Sequence, residues 1–344
     1  AGGGRRLEPL TNRRPKPMLS IAGQPLLEYV LEAIADAGID EVVFVVGYAR
    51  DRIRTHFGDG DDWGVDLEYV VQEKQLGTAH AIARAEDAVD DRFVVLNGDR
   101  IIESSAITSV CDRLERDGGP VLTVTRSADP GAYGVVELDG DRVVDVTEKP
   151  REATSELVNA GVYGFERSVF DAIEATPADD AGERQVTDTL MAFVENGGVT
   201  AVRYGGLWED VSHLWDVTRV TGHVLDRDGS TSDGTVAASA HLFDPVYVDA
   251  GTSVAANATV KRGCSLGENV TVGANAVLSN TVVLSDAVIA DGAVVRDAVI
   301  AENAHVGANA TVVGGEGDVV VDGDVYEAVR LGAVVGDNAS IGGG

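Results

Sequence analysis

Near the start of this sequence Gly2, Gly3 and Gly4 run into Arg5-Arg6, and Lys16 stands between Pro15 and Pro17. Successive glycines leave backbone N–H groups unobstructed, so a polyphosphate could approach closely, with Arg6 and Lys16 supplying positive charge. The two prolines hold the lysine in an extended, pre-set backbone. The pattern is neither the Walker loop nor the dinucleotide fingerprint, and alone it reads equally well as a tail. Other polar groups with chemical potential follow apolar runs: Gln72 after 67–71, Asp99 after 93–96, and the neighbours Glu148 and Lys149 on a hairpin that begins at Tyr133-Gly134. An amide such as Gln72 can donate and accept at once. Gly77-Thr78 opens an alanine-rich stretch, where Thr78 would ordinarily be the N-cap of a helix over 78–87. Asp99 could merely cap the next helix, and a Glu-Lys pair on a hairpin is normally a solvated surface feature.

The elements that must carry these groups alternate. Leu26, Leu27, Val30, Leu31 and Ile34 recur at helical spacing before Gly38, and 41–47 is a short β-branched run ending in glycine. Such a run reads as a buried parallel strand. Repetition of the pattern predicts an α/β domain over 1–225, with a Rossmann-like, mostly parallel sheet and helices on both faces. In that architecture ligands sit beyond the carboxyl ends of the strands. The turn-rich stretch 226–242 reads as a linker. After it the period becomes six: Val248, Val254, Val260, Leu266, Val272 and Leu278, then Val282, Val288, Val294, Ile300, Val306 and Val312. Thr252, Ala258, Cys264, Val270 and Ala276 lie four places on. This predicts a left-handed parallel β-helix of hexapeptide repeats over 243–344.

The formal net charge of −30 excludes general nucleic-acid binding, which needs a basic footprint. So large an excess of carboxylate is tolerable where concentrated salt screens it, and points to a salt-rich cytoplasm. Only Lys16, Lys74, Lys149 and Lys261 are lysines, so a lysine in a polar loop invites a specific explanation. Cys111 and Cys264 are far apart and form no disulfide framework or metal spacing, in keeping with a reducing cytoplasm. No apolar run approaches the roughly 20 residues of a membrane span.

The opening segment, Gly4-Arg5-Arg6-Leu7 with Pro15-Lys16-Pro17, resembles the signature of the sugar-1-phosphate nucleotidylyltransferase family, a Gly-x-Gly-Thr-Arg-Leu loop followed by Pro-Lys-Pro. The resemblance runs through nearly the whole chain and is similar to the long glucose-1-phosphate thymidylyltransferases with a C-terminal β-helix. It implies a strand ahead of the loop, before residue 1. It also implies that Gly2, Gly3 and Gly4 cradle the triphosphate, and that Arg6 and Lys16 stabilise its charge. Arg5 stands where the family has threonine. Gln72, Gly77 and Thr78 would lie at a pyrimidine base. Asp99, in Asn97-Gly98-Asp99, and Asp210, in Trp208-Glu209-Asp210-Val211, would bind Mg²⁺. Ser212-His213 replaces the family's usual Gly-Thr after that segment. Tyr133, Gly134, Glu148, Lys149 and Asn159 would hold the sugar phosphate. The stretch 182–188 resembles the family's Gly-Glu-x-x-x-Thr-Asp, with Arg184 inside it.

The resemblance implies nucleotidyl transfer from dTTP or UTP to a sugar 1-phosphate. Glucose is favoured because 324–332 is similar to the tail of the thymidylyltransferases. It implies a homo-oligomer, with no nucleic acid and no membrane as partners. Two other readings remain: a bifunctional enzyme that also acetylates glucosamine 1-phosphate on its β-helix, and a non-catalytic scaffold. His305 is the histidine within the repeats that the first would use. Retention of Lys16, Asp99, Lys149 and Asp210 together speaks against the second.

Overall fold

The computed structural model describes residues 4–47, 49–179, 181–196 and 198–344. The described residues divide into two compact units: Leu27–Glu209, and Gly4–Leu26 with Asp210–Gly344.

The first unit is α/β. Six strands lie in the spatial order Arg92–Leu96, Leu157–Glu166, Val121–Arg126, Thr200–Arg203, Arg142–Glu148, Gly134–Asp139. The expected layering holds. Leu122 and Val124 pack under Val169, Ile173, Val186 and Leu190, whereas Val121 and Val162 pack under Ala106, Val110 and Leu114. Alternate side chains of one strand thus serve helices on opposite faces, as period-two geometry demands. Strand direction departs from expectation, because the sheet is mixed. Thr200–Arg203 runs parallel to Val121–Arg126, and Glu41–Val46 forms a separate parallel pair with Asp66–Val71. The other pairings of the six-stranded sheet are antiparallel, because Leu157–Glu166 and the 134–148 hairpin return against their neighbours. The helix at Thr78 is also shorter than its alanine content suggests. It ends at Ala83, and a 3₁₀ turn follows at Glu86–Ala88.

The second unit is built on a parallel β-helix. Thr235 pairs with Ser253 and Ser253 with Thr271, a repeat of 18 residues, or three hexapeptides per coil. Val248, Val254, Val260, Leu266, Val272 and Leu278 are all inside. Asparagines 257, 269, 275, 303, 309 and 338 sit at turns with φ near +60°, a conformation their short polar side chains tolerate. The supposed linker is part of this stack. The helix Leu214–Asp228 takes its first residues, and Thr231–Ser232 already pairs in parallel with Tyr247 and Val248. Between Leu278 and Val295 the phase differs from the one expected: Val283, Ile289 and Val295 fill the core, while Val288 and Val294 are only half-buried. The cause is a coil one residue short: Thr271 pairs with Val288, 17 places on, after a tight corner at Asn280. Ile300, Val306 and Val312 lie inside as expected.

One coil is interrupted. His305 pairs with Ser340, 35 places on, because an antiparallel hairpin, Gly315–Val321 with Asp324–Leu331, leaves the stack there. Its neck is pinched so tightly that a Cβ on Gly314 would lie 2.3 Å from Gly332 Cα, so only glycine fits.

Segment 4–26 belongs to this unit, and a buried cation moors it. Arg14, with a side chain only 4% exposed, reaches Glu302 and Asp337 on two coils, both at 2.9 Å. Removing one member of a buried pair leaves uncompensated charge. Arg14→Met should therefore cost about 3 kcal/mol, read as a lower urea midpoint and Tm, with the loss much smaller when Asp337 is changed to Asn in the same chain.

Candidate active site

In the second unit the segment expected at the phosphates is tightly wound. Arg5–Leu7 is a single 3₁₀ turn after Gly4, whose carbonyl accepts from the buried Thr11 hydroxyl at 2.8 Å. Gly2 and Gly3 lie outside the described residues. Arg6 is half exposed, and its Nε donates to Asp322 at 2.8 Å. Asp322 is at the tip of the inserted hairpin. Lys16 opens the 3₁₀ turn Lys16–Met18 set by its flanking prolines, and its ammonium lies 3.3 Å from Asp210 Oδ1. Asp210 is buried, and its second oxygen accepts from Ser212 Oγ at 2.5 Å. The family's turn glycine is therefore replaced by a residue that hydrogen-bonds the carboxylate. His213 leads into the next helix through Asp216, which accepts from the backbone of Ser212 and His213. Burial opposes charge on Asp216, yet His213 and Arg219 outweigh it and hold its carboxyl below the ordinary range. This part of the unit brings together two cations and the carboxylates that neutralise them.

In the first unit, Gln72 lines a cavity of about 370 Å³ with Gly47, Arg50, Glu73 and Gln75. The loop behind it is zipped to 184–186. Arg184 N donates to Leu76 O, Ala79 N donates to Arg184 O, and Thr78 Oγ1 accepts from Val186 N at 2.9 Å. Gly77, at φ +91°, has room for no side chain, since a Cβ would lie 2.2 Å from Arg184 O. Thr78 is consequently not the N-cap of its own helix. Gly77 occupies that position, and the Thr78 hydroxyl instead serves the first turn of Val186–Glu195. Arg184 acts here through its backbone.

A second cluster gathers around the 134–148 hairpin. Ring and cation stack where Arg100 lies 4.9 Å from the ring centres of both Tyr133 and Trp208, an arrangement favoured by the negative ring faces. A Cβ on Gly134 would come within 3.1 Å of Glu148 Oε2 and 3.5 Å of Asn159 Cβ, so these three residues adjoin. Lys149 takes a left-handed backbone, φ +42°, unusual for its type, and its N–H donates to Tyr133 O. Asn159 is buried. It donates to Tyr163 Oη at 2.7 Å and accepts from Gly161 N at 2.9 Å, holding the bulge in Leu157–Glu166. Asn97 N donates to Gly161 O across that bulge, and Asp99 follows in the turn before Arg100–Ile102. Burial pushes Tyr163 up to about 12. Sequence reasoning missed Arg100, Thr11, Arg14 and Tyr163. Of these only Arg100, a cation directly after Asp99, carried a local signal.

Glu148 keeps an open edge, yet enough protein surrounds its carboxyl for burial to raise its pKa above the ordinary 4.5, against the pull of Lys149 and Arg100. A carboxyl raised by folding destabilises the folded state once pH exceeds the folded pKa. Glu148→Gln should thus be as stable as or more stable than the parent at pH 7, with the difference vanishing below pH 4.5. Thermal melts across that range check the sign.

Among the described residues no group of three or more His, Cys, Asp or Glu could hold a metal, and no helix is long and apolar enough to cross a membrane. Cys264 is a buried core residue whose thiol is pushed up to about 12 by burial, which leaves it inert.

Residues 1–227 match the nucleotidyl transferase family, and residues 242–344 match the GMPPB C-terminal domain. The chain is 35% identical over 261 residues to the bifunctional protein GlmU of Methanococcus maripaludis, covering 75% of this chain and 61% of that protein. It thus spans about three fifths of such relatives. Identity to a glucose-1-phosphate thymidylyltransferase of Streptomyces antibioticus is 35%, over 74% of this chain and 72% of the relative. A crystal structure described as a glucose-1-phosphate thymidylyltransferase of Bacillus anthracis superposes with a TM-score of 0.61 at 27% identity, covering 66% of this chain and 92% of that one. The chain belongs to the nucleotidyl transferase family, in the company of its sugar-1-phosphate nucleotidylyltransferases.

Proposed function

We propose that this protein transfers a nucleotidyl group from dTTP or UTP to a sugar 1-phosphate, with glucose 1-phosphate favoured. The observation that supports the reading is one tightly wound segment that carries both Arg6 and Lys16, each paired with a carboxylate. Two basic groups kept at a glycine-led turn of a protein with net charge −30 are suited to a polyphosphate. The thymidylyltransferase relatives support the choice of base and sugar.

In the reaction an oxygen of the sugar phosphate attacks the α-phosphorus in line. The bond from that phosphorus to the bridging oxygen breaks, and pyrophosphate leaves with the electron pair. The attacking phosphate is already ionised, so no general base is needed. Arg6 and Lys16 hold the triphosphate and offset its growing charge. Lys149 holds the sugar phosphate, Glu148 accepts from sugar hydroxyls, and Asn159 shapes the bulged backbone beside them. Gln72 meets the base edge. Orientation and electrostatics of this kind account for large rate factors without covalent chemistry. Asp99 and Asp210 would hold the divalent metal that this family generally uses. Magnesium fits two carboxylates completed by phosphate oxygens, a set too sparse to form an all-protein cage. When bound, it neutralises phosphate charge.

A pyrophosphate-release screen of sugar phosphates against the common nucleoside triphosphates tests the reading, and no release with any pair would sink it. Lys16→Ala should lower kcat/KM by about 10²-fold or more, the factor typical for loss of one transition-state donor, with the circular dichroism spectrum unchanged. The GlmU likeness favours one further assay, acetyl-CoA with glucosamine 1-phosphate. His305 lies exposed on the outer face of the β-helix, and no acetyl transfer is expected.

A further inference from the structure

The amide of Gln72 has both its hydrogens spent inside the protein. Nε2 donates to Gly77 O at 3.2 Å and to His80 Nδ1 at 2.9 Å. A carbonyl can only accept, so the neighbour Gly77 O requires an N–H and forbids the flipped amide, which would set two oxygens together. Gly77 O cannot move away, because the loop is zipped to 184–186 and Gly77 lies against Arg184. With Nε2 fixed on that side, His80 Nδ1 has to be the acceptor, and the ring carries its proton on Nε2. Burial, and then the charges of Arg84 and Arg184, keep the imidazole neutral, as an acceptor must be. What Gln72 has left is Oε1, a bare acceptor on a residue that lines the 370 Å³ cavity.

From this we infer that His80 is a positioning residue that sets base choice. By accepting the second amide hydrogen beside Gly77 O, it strengthens the hold on the Gln72 orientation in which the site accepts from a ring N3–H, as thymine and uracil offer. Cytosine presents a lone pair at N3, so two acceptors would face each other. His80 touches no substrate; it acts through Gln72. This inference rests on the nucleotidyl-transfer reading for its ligand, but the amide orientation stands apart from it.

The experiment therefore has two arms. In the first, ¹⁵N shifts of His80 in the whole protein at neutral pH report the tautomer. The expected result is an unprotonated Nδ1, and a proton on Nδ1 overturns the inference whatever the enzyme binds. In the second, Kd for dTTP and for dCTP is compared among parent, His80→Leu and His80→Asn. An asparagine presents its Oδ1 near where the imidazole carries Nδ1, and so restores the acceptor. The preference for dTTP should fall about three- to tenfold in His80→Leu, the worth of one hydrogen bond, and return in His80→Asn. An unchanged ratio in His80→Leu, or equal losses in both variants, overturns the inference. If the parent binds neither nucleotide, the functional reading fails, and the tautomer alone decides whether the amide is locked.

Discussion

The segment that carries Arg6 and Lys16 depends on one buried cation. Arg14 ties residues 4–26 to two β-helix coils through Glu302 and Asp337, and Gly336 next door lies against Pro9. An isolated guanidinium in that position would be prohibitively costly to desolvate; with two carboxylates it becomes an anchor. Arg6 and Lys16 stand on either side of it along the chain. The β-helix thus does more than follow the α/β unit along the chain. It is the rigid wall to which a short segment, with Leu7, Leu10, Leu19 and Ile21 fully buried, is moored.

The same logic repeats at smaller scale around Gln72. A loop that reads as flexible from its composition is fixed by backbone bonds to residues more than a hundred positions away. Glycine at 77 is required by that contact, and a threonine that could have capped its own helix caps another. Lys149 adds a left-handed backbone at the hairpin end. Strained or committed positions cluster at sites whose groups must be held in one geometry.

Much of this was legible in advance. Period-six valines announced the β-helix because every sixth residue must fill a narrow interior, and the apolar runs located the strands that precede Gln72 and Asp99. The phase between Leu278 and Val295 was not legible, for a physical reason: Val282-Val283, Val288-Ile289 and Val294-Val295 are adjacent apolar pairs, so either member could point inward. A single deleted residue in the corner decides between them. The sheet's mixed direction escaped because periodicity reports burial rather than strand polarity. Arg14 and His80 escaped because their roles lie in partners, Glu302 and Asp337 for one and the Gln72 amide for the other. Charge and spacing along a chain carry no trace of those meetings.

The inserted hairpin shows what a solenoid permits. Eighteen residues, or seventeen where a corner is short, otherwise close a coil, and the interrupted one takes 35, yet the strands on either side still pair in parallel. The excursion enters and leaves through the Gly314–Gly332 pinch, so it adds length without bending the stack. Evolution can enlarge, trim or recharge such a tab while the spool beneath it keeps winding. Its tip already meets Arg6. Variation among relatives could therefore retune an arginine at the opposite end of the chain through sequence that no coil has to accommodate.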